Sequence, residues 1–281
     1  MPVMRSRLRA HAVEWHVAPA AHIDPLHRAG FLELQRRCNS EICRHPALIR
    51  NPWLDSMESG GIVFANLLCT LQQLAIVLRQ IALAREQHTL QLTDGHTLLE
   101  GDSGTAVVIC FDENGVPWCP PLPGMGLGDP YILSERLHNW WSIWERTVPQ
   151  APPGWCLHQC EPVTRELCDV IDAHYNANDL STALGTMLAL ENSISTDIWQ
   201  RLGRGLRQRC EENGIEFPDA GFFPVAETHA RLQARHGLYL VEAASVHDLL
   251  DADRLFLASQ SMLDQLDSFW KMQADRLQLR H

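Results

Sequence analysis

The chain has 281 residues, of which 46% are hydrophobic, and its formal net charge is −11 at pH 7. That length is enough for one large hydrophobic core or two small ones. The negative charge argues against a nucleic-acid groove, which needs a basic stripe, and against binding to anionic lipid. We therefore expect neither nucleic acid nor a membrane as a partner.

The first part of the chain is predicted to be helical. A first helix is expected over residues 22–43, and a second begins at Asn51-Pro52, because Asn caps helices well and Pro suits the first helical position. This short helix reaches Glu58, and Gly60-Gly61 ends it. A long apolar helix is expected over residues 61–87, and its internal polar residues favour a core helix over a membrane span. Those polar residues are Asn66, Gln72, Gln73, Arg79 and Gln80.

Residues 88–128 have a different character. Residues 105–111 form an apolar, β-branched run, and residues 112–115 end in Asn-Gly, which together predict a strand and a turn. Prolines and glycines then follow closely as far as Gly128. We interpret residues 88–128 as a loop or β-hairpin insertion in a helical domain.

Helices are predicted again after this insertion. The pattern gives helices over residues 129–146, 162–175, 181–210 and 221–236, with Asn213-Gly214 and Gly237 as stop signals. A last helix is expected to start at Ser245, with Asp248 three residues later as a weak relative of the capping box. Seven or more helices with short connections predict an all-α bundle, taken as a single domain over residues 1–281.

The nine cysteines have no disulfide-framework spacing, and no secretory signal is visible. These features favour reduced thiols and a cytoplasmic protein. Cys156, His158 and Cys160 lie close together, but a zinc site would need a fourth ligand.

Five residues on the predicted helices are candidate metal ligands. Glu135 and His138 are three apart and share a helix face, as in the Glu-x-x-His pairs that hold iron or manganese in bundles. Glu191 ends an almost wholly apolar run, where a buried carboxylate needs a partner. His229 and His236 are seven apart and share a face. The alternative for each is a solvated or capping side chain.

Candidate substrate-binding residues lie beside these ligands. Trp140 and Trp144 follow the first pair and would line an apolar pocket or pack in the core. A substrate carboxylate would bind an arginine, and Arg235 is a candidate beside other arginines near the ligand helices. Those other arginines are Arg136, Arg201 and Arg231.

The order of these segments resembles the heme-oxygenase-like diiron oxidase superfamily, which has a thiaminase-like helical fold. The matching features are the His-Pro and Asn-Pro segment at residues 45–60, the Gly-Asp-Pro turn at residues 128–130, the helix ending in Glu191, and the pair His229 and His236. The resemblance covers about residues 47–237. It implies that the five candidate ligands hold one or two Fe(II) ions and that dioxygen is the co-substrate.

The resemblance also implies a function, with alternatives. The expected activity is oxidation of a small amino-acid- or fatty-acid-like substrate in a biosynthetic setting, and a homodimer is one assembly the sequence allows. The family usually has a carboxylate four residues after the first histidine, whereas this chain has Gln233 there. A metal-free thiaminase-like enzyme or binding protein of the same fold is therefore the alternative. A helical partner-binding protein without chemistry is a third hypothesis.

Overall fold

The computed structural model describes seven longer stretches of the chain and several short fragments. The described residues are 25–49, 51–61, 64–92, 99–100, 107–108, 110–111, 117–118, 160–177, 179–193, 196–217, 223, 226, 230, 241 and 250–278. Most of them are helical, as predicted. The α-helices are α1 (Pro25–Arg37), α2 (Pro46–Ile49), α3 (Pro52–Glu58), α4 (Phe64–Leu92), α5 (Pro162–Tyr175), α6 (Leu180–Ser193), α7 (Thr196–Glu212) and α8 (Ala252–Gln278). None of these described helices is long and apolar enough to cross a membrane.

Four two-residue strands lie within residues 88–128. Strand β1 (Leu99–Glu100) pairs antiparallel with β2 (Val107–Val108), and β3 (Cys110–Phe111) pairs antiparallel with β4 (Pro117–Trp118). The predicted Asn-Gly turn lies in the sequence between β3 and β4. The described pairs therefore agree with a β-hairpin in this segment.

Local capping signals locate the start of α3. The side-chain oxygen of Asn51 accepts a hydrogen bond from the backbone N–H of Trp53 at 3.0 Å, and Pro52 occupies the first turn. The helix ends at Glu58, and Gly60 follows with a φ of 73°, a conformation that glycine adopts without strain. The predicted bounds of this helix are confirmed.

The predicted helix over residues 181–210 is wrong as a single element. The chain forms α6 and α7 instead, and residues 194–195 between them lie outside the described part. The two helices pack against different neighbours, α6 against α8 and α7 against α3. The polar run from Asn192 to Asp197 contains residues that favour helix caps over helix interiors, and this was the overlooked signal.

The last helix begins later than predicted. Leu250 and Asp251 are not helical, and a side-chain oxygen of Asp251 accepts the N–H of Arg254 at 3.1 Å. Asp251 is therefore the cap of α8, and the predicted start at Ser245 is wrong; Ser245 itself lies outside the described residues. Val241 is helical, although no helix was predicted at that position.

A π-helical turn, Cys38–Ile42, continues α1 directly. A π-helix has hydrogen bonds between residues five apart, and here the N–H of Cys43 donates to the carbonyl of Cys38 at 3.2 Å. Cys38 and Ile42 are buried in this turn, which packs against α6 and α8.

Helix α8 is the central element of the described core. It packs most extensively on α6 and also contacts α1 to α5. The α6–α8 crossing is close, because a Cβ atom at Gly185 would overlap the backbone carbonyl of Leu255. The Ser259 hydroxyl lies at this crossing, 2.8 Å from the carbonyl oxygen of Gly185. Because Gly185 has no side chain, the backbones of α6 and α8 can come into direct contact at this point.

Candidate functional site

Most of the predicted site residues lie outside the part of the chain that the structure describes. They are Glu135, His138, Trp140, Trp144, His229, Arg235 and His236, and Gln233 is with them. Glu191 lies in the last turn of α6, although its side chain is not described. The structure therefore locates one of the five predicted ligands by its helix.

The helix that carries Glu191 is buried on all sides for two turns. Every residue from 183 to 190 is buried. Position 191 continues the helix face of Leu184 and Leu188, whose side chains are at most 1% exposed. The apolar run that precedes Glu191 is therefore buried, and the role of Glu191 as a metal ligand stays a prediction.

Polar contacts fix α6 against its neighbours. The Thr186 hydroxyl, itself buried, lies 2.7 Å from Nδ1 of His174 on α5. Burial lowers the pKa of His174, so its ring is neutral at pH 7. Together with the Ser259 contact to α8, this bond fixes the middle of α6.

The end of α6 has its own contacts. The side-chain nitrogen of Asn192 donates to the carbonyl of Leu188 at 2.8 Å, and the thiol of Cys43 donates to the side-chain oxygen of Asn192 at 3.5 Å. The helix is therefore held at both its middle and its end. Catalytic or metal-binding side chains need a rigidly held element of this kind.

The thiols near α6 are protonated at neutral pH. Burial raises the pKa of Cys38 to about 12 and also raises the pKa of Cys43. A protonated thiol is a poor nucleophile and a poor metal ligand. Among the described residues, no group of three or more His, Cys, Asp or Glu side chains is arranged to hold a metal. Of the proposed zinc residues, only Cys160 is described, and burial raises its pKa as well.

Arg201 was one of the arginines considered for a substrate carboxylate, and the structure gives it another role. Its side chain is 6% exposed and reaches three carboxylates, forming an ion pair with Asp55 and lying 3.3 Å from Glu58 and 3.8 Å from Asp197. The guanidinium joins α3 to α7. Its charge is therefore balanced by carboxylates of the protein itself.

A buried polar layer joins α4, α5 and α8, and sequence reasoning missed it. The hydroxyl of Thr70 donates to the side-chain oxygen of Gln273 at 2.7 Å, and the side-chain oxygen of Gln73 accepts the N–H of Glu161 at 3.0 Å. Arg276 forms an ion pair with Glu161. The glutamine in α4 was visible as a polar residue in an apolar pattern, but its partners are far away in sequence.

Several N–H donors beside this layer are closed off from solvent. The indole rings of Trp53 and Trp270 stack with centroids 5.4 Å apart. Within the described structure, the indole nitrogens of both, and the side-chain nitrogen of Gln273, have no hydrogen-bond partner and almost no accessible surface. Since a water molecule has no room beside these atoms, we interpret this region as packed core and not as a ligand pocket.

Comparison with known proteins gives no family assignment. No protein-family model matches the chain, and no curated protein matches it. The class that the described residues define is a mainly α-helical protein whose buried residues form one hydrophobic cluster.

Proposed function

We propose that the chain is an iron-dependent oxidase or oxygenase with a heme-oxygenase-like helical bundle. It would use dioxygen to oxidise a small amino-acid- or fatty-acid-like substrate. The observation that supports this proposal is the position of Glu191, near the end of a helix in which residues 183–190 are all buried. A carboxylate introduced into such surroundings requires a compensating charge, and a metal ion supplies one.

The chemistry of the candidate ligands fits iron. Glu135, His138, Glu191, His229 and His236 offer two carboxylates and three imidazoles, which suit Fe(II) with open positions. When bound, iron would supply the activation of dioxygen and the oxidising power. The chain's own residues would position the substrate and exclude water.

Substrate recognition would depend on residues next to the ligands. In this proposal Trp140 and Trp144 contact the apolar part of the substrate, and Arg235 binds its carboxylate through charge-assisted hydrogen bonds. Since Arg201 is held by three carboxylates of the protein, it is removed from the set of candidate arginines.

Gln233 favours a second candidate, a metal-free thiaminase-like enzyme or binding protein of the same fold. An amide in place of the expected carboxylate carries no negative charge to stabilise a second iron. This candidate predicts binding of a small heterocycle and no retention of iron.

The proposed setting is the cytoplasm, with a homodimer as the assembly to be tested. Six of the described cysteines are free thiols, which supports a reducing compartment; they are Cys38, Cys43, Cys69, Cys160, Cys168 and Cys210. Sedimentation of the purified protein at several concentrations would distinguish monomer from dimer.

Anaerobic loading with Fe(II), followed by desalting and metal analysis, tests the proposal. We expect at least one firmly held equivalent in the wild type and a large loss in Glu191→Gln, which removes the charge but keeps the shape. Glu211→Gln is the matched control, because Glu211 is an exposed residue on α7. Retention of no iron by the wild type would contradict the proposal. Dioxygen uptake with a panel of amino acids and fatty acids would then identify the substrate class.

A further inference from the structure

A histidine ring caps the short helix α2. The backbone N–H of Ala47 donates to Nδ1 of His45 at 3.2 Å, and the carbonyl of His45 accepts the N–H groups of Leu48 at 2.9 Å and Ile49 at 3.2 Å. A ring nitrogen accepts a hydrogen bond only when it carries no proton. The cap therefore exists only with the neutral form of His45.

Apart from this cap, few interactions stabilise helix α2. Helix α2 has four residues, Pro46–Ile49, and an isolated helix of that length is not stable in water. Its hold on the protein comes from the buried side chains of Ala47 and Leu48, which belong to the main core.

Charged groups on α8, the helix against which α2 packs, act on His45. Asp264 and Asp267 favour the protonated ring, and Lys271, whose Nζ lies 2.5 Å from an oxygen of Asp267, opposes it. Burial is the largest influence, and the pKa of His45 is lowered overall. At neutral pH the ring is therefore uncharged and able to cap α2.

We propose that His45 is an acid-sensitive cap: protonation of the ring breaks its bond to Ala47, turns it towards the carboxylates of α8, and releases α2 from the core. The direction of this pH dependence follows because the folded protein favours the neutral ring of His45. An unrestrained histidine has a pKa of about 6.5 and that of His45 is lower, so the cap is fully formed above pH 6.5 and is lost as the pH falls through the lowered pKa of the folded protein. Asp264 and Asp267 then provide the acceptors that compete for the charged ring. The inference does not depend on the proposed iron chemistry.

Backbone hydrogen exchange at pH 7.5 and at a pH one unit below the measured titration midpoint of His45, corrected for intrinsic rates, tests this cap in the full chain. We expect protection of the amides of residues 47–49 to fall about five-fold or more in the wild type, the effect of losing a helix cap of ordinary strength. His45→Asn retains a side-chain acceptor that does not titrate, so protection should be equal at the two pH values. His174→Asn is the matched control, because His174 is a half-buried histidine in α5, and it should leave the wild-type response of α2 unchanged. Unchanged protection in the wild type, or a wild-type response in His45→Asn, would overturn the proposal.

A measurement on the titration of the ring keeps the proposal testable if His45→Asn does not fold. Exchange of the ring C2 hydrogen with pH gives the titration midpoint of His45 in the wild type. We expect that midpoint below the ordinary histidine value, and lower still in Asp267→Asn, which removes an attraction for the charged ring. A midpoint at or above the ordinary value, or one that Asp267→Asn does not lower, would refute the proposed competition between α2 and α8.

Discussion

The crossing of α6 and α8 makes a quantitative prediction for Gly185→Ala. The added methyl group would overlap the carbonyl oxygen and carbonyl carbon of Leu255, which are backbone atoms. A flexible side chain can move aside, but a helix backbone moves only with its neighbours. The two helices must therefore separate, or α6 must shift along α8.

Three effects set the size of the change in the free energy of unfolding. Crowding in a close-packed core costs about 1–3 kcal/mol. Separation of the helices also weakens the 2.8 Å hydrogen bond from Ser259 to the Gly185 carbonyl, which contributes about 1 kcal/mol. The higher helix propensity of alanine returns about 1 kcal/mol. The last two effects nearly cancel, so the crowding determines the result, and we expect the free energy of unfolding of Gly185→Ala to fall by about 1–3 kcal/mol.

Urea unfolding followed by circular dichroism at 222 nm measures this loss, and Gly30→Ala is the matched control. Gly30 lies in α1, and a Cβ atom there meets nothing within 4 Å, so the same substitution should stabilise the protein by about 0.5–1 kcal/mol. Opposite signs for the two variants would support the described crossing. Equal or greater stability of Gly185→Ala relative to the wild type would refute it.

Three further substitutions test other contacts. Asn51→Ala removes the cap and should lose about 1 kcal/mol of stability in urea unfolding. Asn51→Ser keeps the capping oxygen and removes a buried side-chain nitrogen that has no partner in the described structure, so its stability should stay within about 0.5 kcal/mol of the wild type. Arg201→Met should change stability by no more than about 1 kcal/mol, because the carboxylates it leaves behind are solvated; a loss of 3 kcal/mol or more in the same assay would contradict this. Gln233→Asp should raise the iron content per chain after anaerobic loading, because a carboxylate there gives iron an anionic ligand, and no change would argue against a metal site on that helix.

Local signals in the sequence predicted those helix ends that local contacts determine. The bounds of α5, Pro162–Tyr175, are those expected from the sequence, and Asn51 caps α3 by the expected hydrogen bond. In α3 the capping atoms lie two residues apart, and in α5 a proline occupies the first turn. Such ends can be read from residue types alone.

The start of α8 shows where this reasoning fails. Ser245, the predicted start, and Asp251 are both residue types that cap helices, so the sequence does not choose between them. The structure uses Asp251, whose backbone N–H is bound by the hydroxyl of Ser181 at 2.8 Å. That contact comes from the beginning of α6, seventy residues away, and only the tertiary structure reveals it.

Burial of polar groups in the core is also a tertiary property. The apolar pattern of α4 indicated a core helix containing glutamines, and Gln72 and Gln73 are indeed buried. Their neighbours could not be inferred, since Thr70 bonds Gln273 across 203 positions of sequence. For Glu191, likewise, the sequence predicted that the helix before it is buried, but it did not predict which groups would compensate the charge of the carboxylate.

The proposed experiments separate the fold from the chemistry. The substitution at Gly185 and the acid response of His45 depend only on contacts among described helices, so both are expected whether or not the protein binds iron. Iron retention depends on Glu191 and on ligands from two other predicted helices. If the two fold tests succeed and iron is not retained, the bundle is correct and the metal-free alternative gains support from Gln233. If iron is retained and lost in Glu191→Gln, the buried helix α6 carries a metal ligand, and the rigid contacts of Thr186, Asn192 and Ser259 become the elements that hold it in place.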